Sequence, residues 1–149
     1  MREIKFRAKR LDNGEWSYGS GLLIADDFCV IDTDTEMYID EEYDWAGNTH
    51  FFRVAGAMCD LKTIGQYTGL KDKNGKKIYE GDIIRSFDSN GEAILHCIVW
   101  EEARFVALYK GRNFSSKCFL KQYWLDEFEK EVIGNIYDNP ELINKENLV

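Results

Sequence analysis

A chain of 149 residues, 44% hydrophobic and 31% charged, has material for one medium domain or two very small ones, and a single proline beside nine Phe, eight Tyr and four Trp argues against disorder outside the ends. The net charge of −8 argues against a general binder of phosphate backbones, whose affinity rests on a surplus of Lys and Arg, while leaving room for a local basic patch. The opening MREIKFRAKR has no apolar leader and no segment approaches the length of a membrane span, so a cytoplasmic protein with no membrane partner is expected.

Residues Glu3 to Lys9 alternate, with Ile4, Phe6 and Ala8 on one side and Glu3, Lys5, Arg7 and Lys9 on the other, as in a half-buried strand with a charged outer face. Asp12-Asn13-Gly14 is a hairpin turn from which Glu15–Tyr18 returns. Gly19 and Gly21 break the chain before Leu22–Ala25. Alternation resumes over Cys29–Asp40, as one strand or a hairpin folded near Asp34, with acids on the outer face. Tyr43–Thr49 reads as a loop and His50 as its continuation, while Phe51–Met58 fits a strand or a short helix.

Turn signals then recur regularly. Ile83–Phe87 and Glu92–Trp100 are strands about the turn Asp88–Gly91, and the second is apolar on both faces, which predicts burial on both sides. Phe105–Tyr109 pairs back after Glu101–Ala103, and Lys110–Asn113 turns again. Phe119–Phe128 is the internal helical candidate and Glu131–Tyr137 the last strand. Asn139-Pro140-Glu141 has the pattern of a helix start, with Asn139 as N-cap. The expected fold is all-β with minor α, in two small β units of residues 1–62 and 63–149, the second a barrel or sandwich.

Chemistry-bearing residues are sparse. The cysteines Cys29, Cys59, Cys97 and Cys118 include no C-x-x-C pair, which fits free, mostly buried thiols in a reducing compartment better than a zinc site. His96 adjoins Cys97 in one strand, so the two side chains point to opposite faces and cannot form a nucleophile–base pair. No catalytic signature is present, and an enzyme is not expected. Between Asp26 and Asp44 stand nine carboxylates (Asp26, Asp27, Asp32, Asp34, Glu36, Asp40, Glu41, Glu42 and Asp44) and no Lys or Arg. Asp32, Asp34 and Glu36 occupy the first, third and fifth positions of a calcium-type loop. Met37 stands where that loop needs Gly, however, and Tyr43 where it needs a bidentate Glu. No metal or cofactor is expected, and Asp32, Asp34, Glu36 and Asp40 become a candidate acidic contact face.

The run Ile64–Ile84, IGQYTGLKDKNGKKIYEGDII, is rich in Gly but lacks the G-K-[ST] of a phosphate loop. Asn74-Gly75 supplies the left-handed positions of a tight hairpin, at whose tip Lys71, Lys73, Lys76 and Lys77 cluster around Asp72. These lysines are the basic counterpart of the acidic face. The tail Gly81-Asp82-Ile83-Ile84 reads as a turn feeding a strand.

Taken whole, TIGQYTGLKDKNGKKIYEGDII resembles the signature of the YopX family, small proteins encoded by bacteriophages and prophages; REIKFRAKR resembles that family's start and VIGNIYDNPELI its end. The resemblance implies an all-β fold, a bacterial cytoplasm and no assigned catalytic residue. With the opposed charges it leads to the expectation of a non-enzymatic accessory protein that contacts a host or phage protein or self-associates as a homo-oligomer. Nucleic-acid binding through the Lys71–Lys77 hairpin is the alternative.

Overall fold

The computed structural model describes residues 3–32, 42–43, 50–51, 56–110, 115–127 and 129–143. The described residues are mostly β with one short α-helix, and the chain divides into two compact units, Ile4–Ile64 and Gly65–Val149, the latter also taking in Met1–Glu3.

In the unit Ile4–Ile64, β1 (Phe6–Lys9) pairs antiparallel with β2 (Trp16–Gly19) in the register Arg7 opposite Tyr18 and Lys9 opposite Trp16. β3 (Gly21–Ile24), β4 (Phe28–Asp32) and β7 (Ala57–Asp60) form a three-stranded sheet, and β5 (Glu42–Tyr43) pairs with β6 (His50–Phe51). Tyr43 and His50 therefore belong to strands, not to the expected loop, whose interior lies outside the described residues. So do 52–55 of the ambiguous Phe51–Met58 stretch and 33–40 of the alternating stretch that β4 begins. The core of this unit is Ala8, Cys29, Ile31 and Cys59, all fully buried, with Phe6, Leu22, Ala57, Leu61 and Ile64 packed on it. Cys29 lies directly opposite Cys59, and both thiols are free. A 3-10 turn at Leu61–Thr63 closes the unit, its Lys62 amide capped by the Asp60 carboxylate. Thr63 Oγ1 accepts the Lys9 amide at 2.8 Å.

In the second unit β8 (Gly65–Lys71) and β9 (Lys77–Tyr79) form a hairpin, and β10 (Asp82–Phe87), β11 (Ala93–Glu101), β12 (Arg104–Lys110), β13 (Ser115–Phe119) and β14 (Glu131–Asn135) form an antiparallel sheet in the order β13-β12-β11-β10-β14. The helix α1 (Gln122–Asp126) covers one face. Its Leu125 joins Ile78, Ile84, Ile98, Phe105 and Ala107 in the core.

Three sequence expectations change here. β11 buries one face only: His96 and Ile98 point into the core, whereas Leu95, Cys97 and Val99 are half-buried and Trp100 at the strand end is 47% exposed. Apolar residues on both faces record packing opportunity, but α1 covers a single side. The internal helix contracts to five residues, because Phe119 completes β13 opposite Val106. Pro140 opens a 3-10 turn, Pro140–Ile143, whose Leu142 amide donates to the Asn139 carbonyl, and the Asn139 carboxamide oxygen accepts the Asn135 amide at 3.4 Å. The 111–113 part of the expected turn lies outside the described residues.

Candidate interaction site

The β8–β9 hairpin tip is built around one buried carboxylate. Asp72 is 6% exposed, and its Oδ1 accepts the amides of Asn74 and Lys76, each at 2.9 Å. Its Oδ2 accepts the amide of Val132 in β14 at 3.0 Å. The backbone closes the same turn, with the Asp72 amide donating to the Lys76 carbonyl and the Gly75 amide to the Asp72 carbonyl. Gly75 has φ +79° with open space where a Cβ would stand, so conformation and not room requires glycine. The Lys73 amide donates to the Lys130 carbonyl, a second tie between the tip and the β14 side.

The four candidate lysines meet different fates on this frame. Lys73 Nζ lies 3.5 Å from Glu129 and 3.6 Å from Glu131, and Glu131 also takes the Arg85 guanidinium. The hydrogen bond from Arg85, ahead of the charges of Lys73 and Arg85, holds the Glu131 carboxyl below its ordinary range. Lys77 Nζ lies 2.9 Å from Glu3 and 5.2 Å over the Tyr67 ring. Lys71 and Lys76 are exposed, and neither has an ion pair among the described residues. Among the described residues, the basic cluster of the sequence is thus reduced to two ammonium groups without an ion pair.

Of the acidic candidates, Asp32 ends β4 in the other unit, half-buried, with Oδ1 lacking a hydrogen-bond partner among the described residues. Asp34, Glu36 and Asp40 lie outside the described residues. The burial of Asp72 and Asp82, and the backbone role it gives them, were not anticipated from the sequence. The signals were present: Asp two positions before Asn-Gly has the spacing of a side-chain-closed turn, and Gly81-Asp82 repeats the idea. Asp82 is 1% exposed and accepts the Tyr79 amide at 2.8 Å, across a turn in which Gly81 has φ +83°. Thr68 Oγ1 donates to the Ile78 carbonyl within the same hairpin. The polar and glycine positions of the signature run are occupied in holding backbone.

A family model described as YopX protein matches residues 5–144. Among solved structures, the chain is similar to protein EF1440 from Enterococcus faecalis, with 26% identity, a TM-score of 0.58, and coverage of 95% of this chain and 98% of that one. A comparison with curated proteins gave no match.

Proposed function

The chain belongs to the YopX family, and from that premise we propose that it is a phage- or prophage-encoded accessory protein of the bacterial cytoplasm that acts without catalysis, through protein–protein contacts that include self-association. One observation carries this reading, the separation of charge along the chain. Nine carboxylates and no Lys or Arg lie between Asp26 and Asp44, and Lys71 and Lys76 stand at the hairpin tip without an ion pair among the described residues. Opposite patches on two copies attract and set register, and a head-to-tail contact of this kind closes a ring or extends a chain. Size exclusion with light scattering at low and high salt tests it. The expected result is an assembly at low salt that loosens at high salt; a monomer under both conditions removes self-association.

The exposure of Lys71 and Lys76 also supports a second reading, nucleic-acid binding at the same hairpin. With Lys73 and Lys77 already paired, at most two phosphates would be neutralised, for a slope of about −2 in log K against log salt. A binding titration that shows no affinity at low salt excludes it.

A further inference from the structure

A buried polar cluster outside the hairpin lies beneath α1. His96 of β11 is 6% exposed, and its Nε2 stands 3.0 Å from the hydroxyl of Ser86, which is itself buried in β10. Its Nδ1 is buried without a hydrogen-bond partner among the described residues. The imidazole meets the Trp124 ring of α1 edge-on, with centroids 5.2 Å apart, and Tyr109 of β12 stands at 6.0 Å. On Trp124 rests a second cationic group: Lys130 is 2% exposed, with Nζ 4.4 Å from the ring centroid and donating to the Glu127 carbonyl.

The charged and titratable groups around His96 can be placed element by element. β12 contributes the Tyr109 phenol and β13 the Cys118 thiol, on the same side of the sheet by their register. The chain after α1 contributes the Lys130 ammonium, which donates to the Glu127 carbonyl and feels the Glu127 carboxylate. Arg85 and Glu131 lie one position off in register and so project from the opposite side. Lys130 is the charge that acts on His96; the Glu127 charge acts on Lys130 in turn, and Asp82, on the His96 side of β10 by its register, accepts the Tyr79 amide. Burial first, and Lys130 second, push the imidazole down to about 4 from an ordinary 6.5.

The covering element is weakly built. α1 has five residues, no side-chain cap at its N-terminus and a single fully buried residue, Leu125. A helix of that length has no stability apart from its packing. The chain is tied down on either side of it, by the Leu120 amide on the Phe105 carbonyl and by the Lys130 carbonyl under the Lys73 amide. Between those ties the exposed side-chain hydrogen bond from Gln122 to the Lys71 carbonyl links the helix to the hairpin. The strands below are joined in antiparallel ladders, the kind of element that resists local opening.

We propose that α1 is an acid-released cover: ionisation of His96 beside Lys130 lifts Trp124 and α1 off the five-stranded sheet between the ties at Leu120 and Lys130, while the sheet stays folded. The proton comes from solvent, and no bond other than that N–H is made. The proposal rests on the packing of this cluster and is independent of the contact function proposed above.

The experiment is fluorine NMR of the full chain labelled with 5-fluorotryptophan, which reports Trp16, Trp45, Trp100 and Trp124 separately, the Trp124 signal being assigned by Trp124→Phe. As pH falls from 7.5 through about 4, the Trp124 signal is expected to move to its solvent-exposed position while far-ultraviolet circular dichroism holds its β signal. His96→Gln keeps the hydrogen bond to Ser86 without the titration, and should leave Trp124 covered at the pH where the wild type releases it. Lys130→Met removes the like charge and should move release to lower pH. A Trp124 signal that does not respond, release at the wild-type pH in both variants, or loss of the β signal together with Trp124 would overturn the proposal.

Discussion

Lys73 lies 3.6 Å from Glu131, a carboxylate that Arg85 already holds, so a residue that looks available in the sequence is committed within its own unit. The same is true of Lys77 with Glu3. This divides the hairpin lysines into two pairs that respond differently to substitution.

Lys71→Ala and Lys76→Ala should each leave stability within about 0.5 kcal/mol of wild type, because exposed side chains without partners add little. Together they should weaken any salt-sensitive association. Lys73→Ala and Lys77→Ala should alter association less and cost up to about 1 kcal/mol each, the range of partly exposed ion pairs. Urea denaturation and light scattering on the four variants decide between this division and a uniform basic patch.

Asp72 supports three amides, and its removal strands them. Asp72→Ala should cost on the order of 3 kcal/mol, in the range found when charge-assisted hydrogen bonds to buried donors are lost. Asp72→Asn retains one acceptor oxygen and should fall between. A midpoint in urea for Asp72→Ala equal to wild type would show that the carboxylate is incidental to the turn.

Gly75 and Gly81 both occupy left-handed backbone, but only Gly81 is crowded, since a Cβ there would stand 3.3 Å from the Tyr137 ring. Gly75→Ala should therefore cost about 1 kcal/mol from conformation alone. Gly81→Ala adds the displacement of Tyr137 and should lower the melting temperature further. Equal shifts for the two would mean that Tyr137 yields freely.

Glu131 sets an acid limb on stability. Its carboxyl is held below its ordinary 4.5, chiefly by the Arg85 hydrogen bond, so its contribution is fully present above pH 4.5 and is lost as pH falls through the lower folded value. Glu131→Gln should flatten that part of the profile. Thermal denaturation at a series of pH values, compared between the two proteins, gives the answer.

The thiols should separate by reactivity. Burial pushes Cys29 up to about 11 from an ordinary 9.0, and Cys59 rises for the same first reason. Two units of pKa leave about 100-fold less thiolate at neutral pH, before any effect of access. Alkylation of the native protein, followed by peptide mass spectrometry, should modify Cys97 and Cys118 well ahead of Cys29 and Cys59.

The strands and most turns were legible because period-two alternation and Gly or Asn at turns are local signals. β2, β10 and β12 follow their sequence patterns closely, and Gly14, Gly75 and Gly91 all take the left-handed backbone that their turns imply. What could not be read locally depends on partners distant in sequence. The one-sided burial of β11 follows from where α1 packs, and the neutralisation of Lys73 from where Glu129 and Glu131 return. A charge count over Lys71–Lys77 sees four cations and one anion, yet that anion faces inward and serves the backbone.

The Asp72–Val132 hydrogen bond spans 60 positions of chain, and this has a temporal side. During synthesis the hairpin tip emerges long before β14, so it can close only two of the three amide bonds its carboxylate finally makes. Its last bond waits for nearly the whole chain, and the loop-closure entropy of that wait falls on the folding rate. The most recognisable segment of the sequence is thus among the last to reach its final geometry, and a chain cut short before β14 would display the lysines on an unfinished turn.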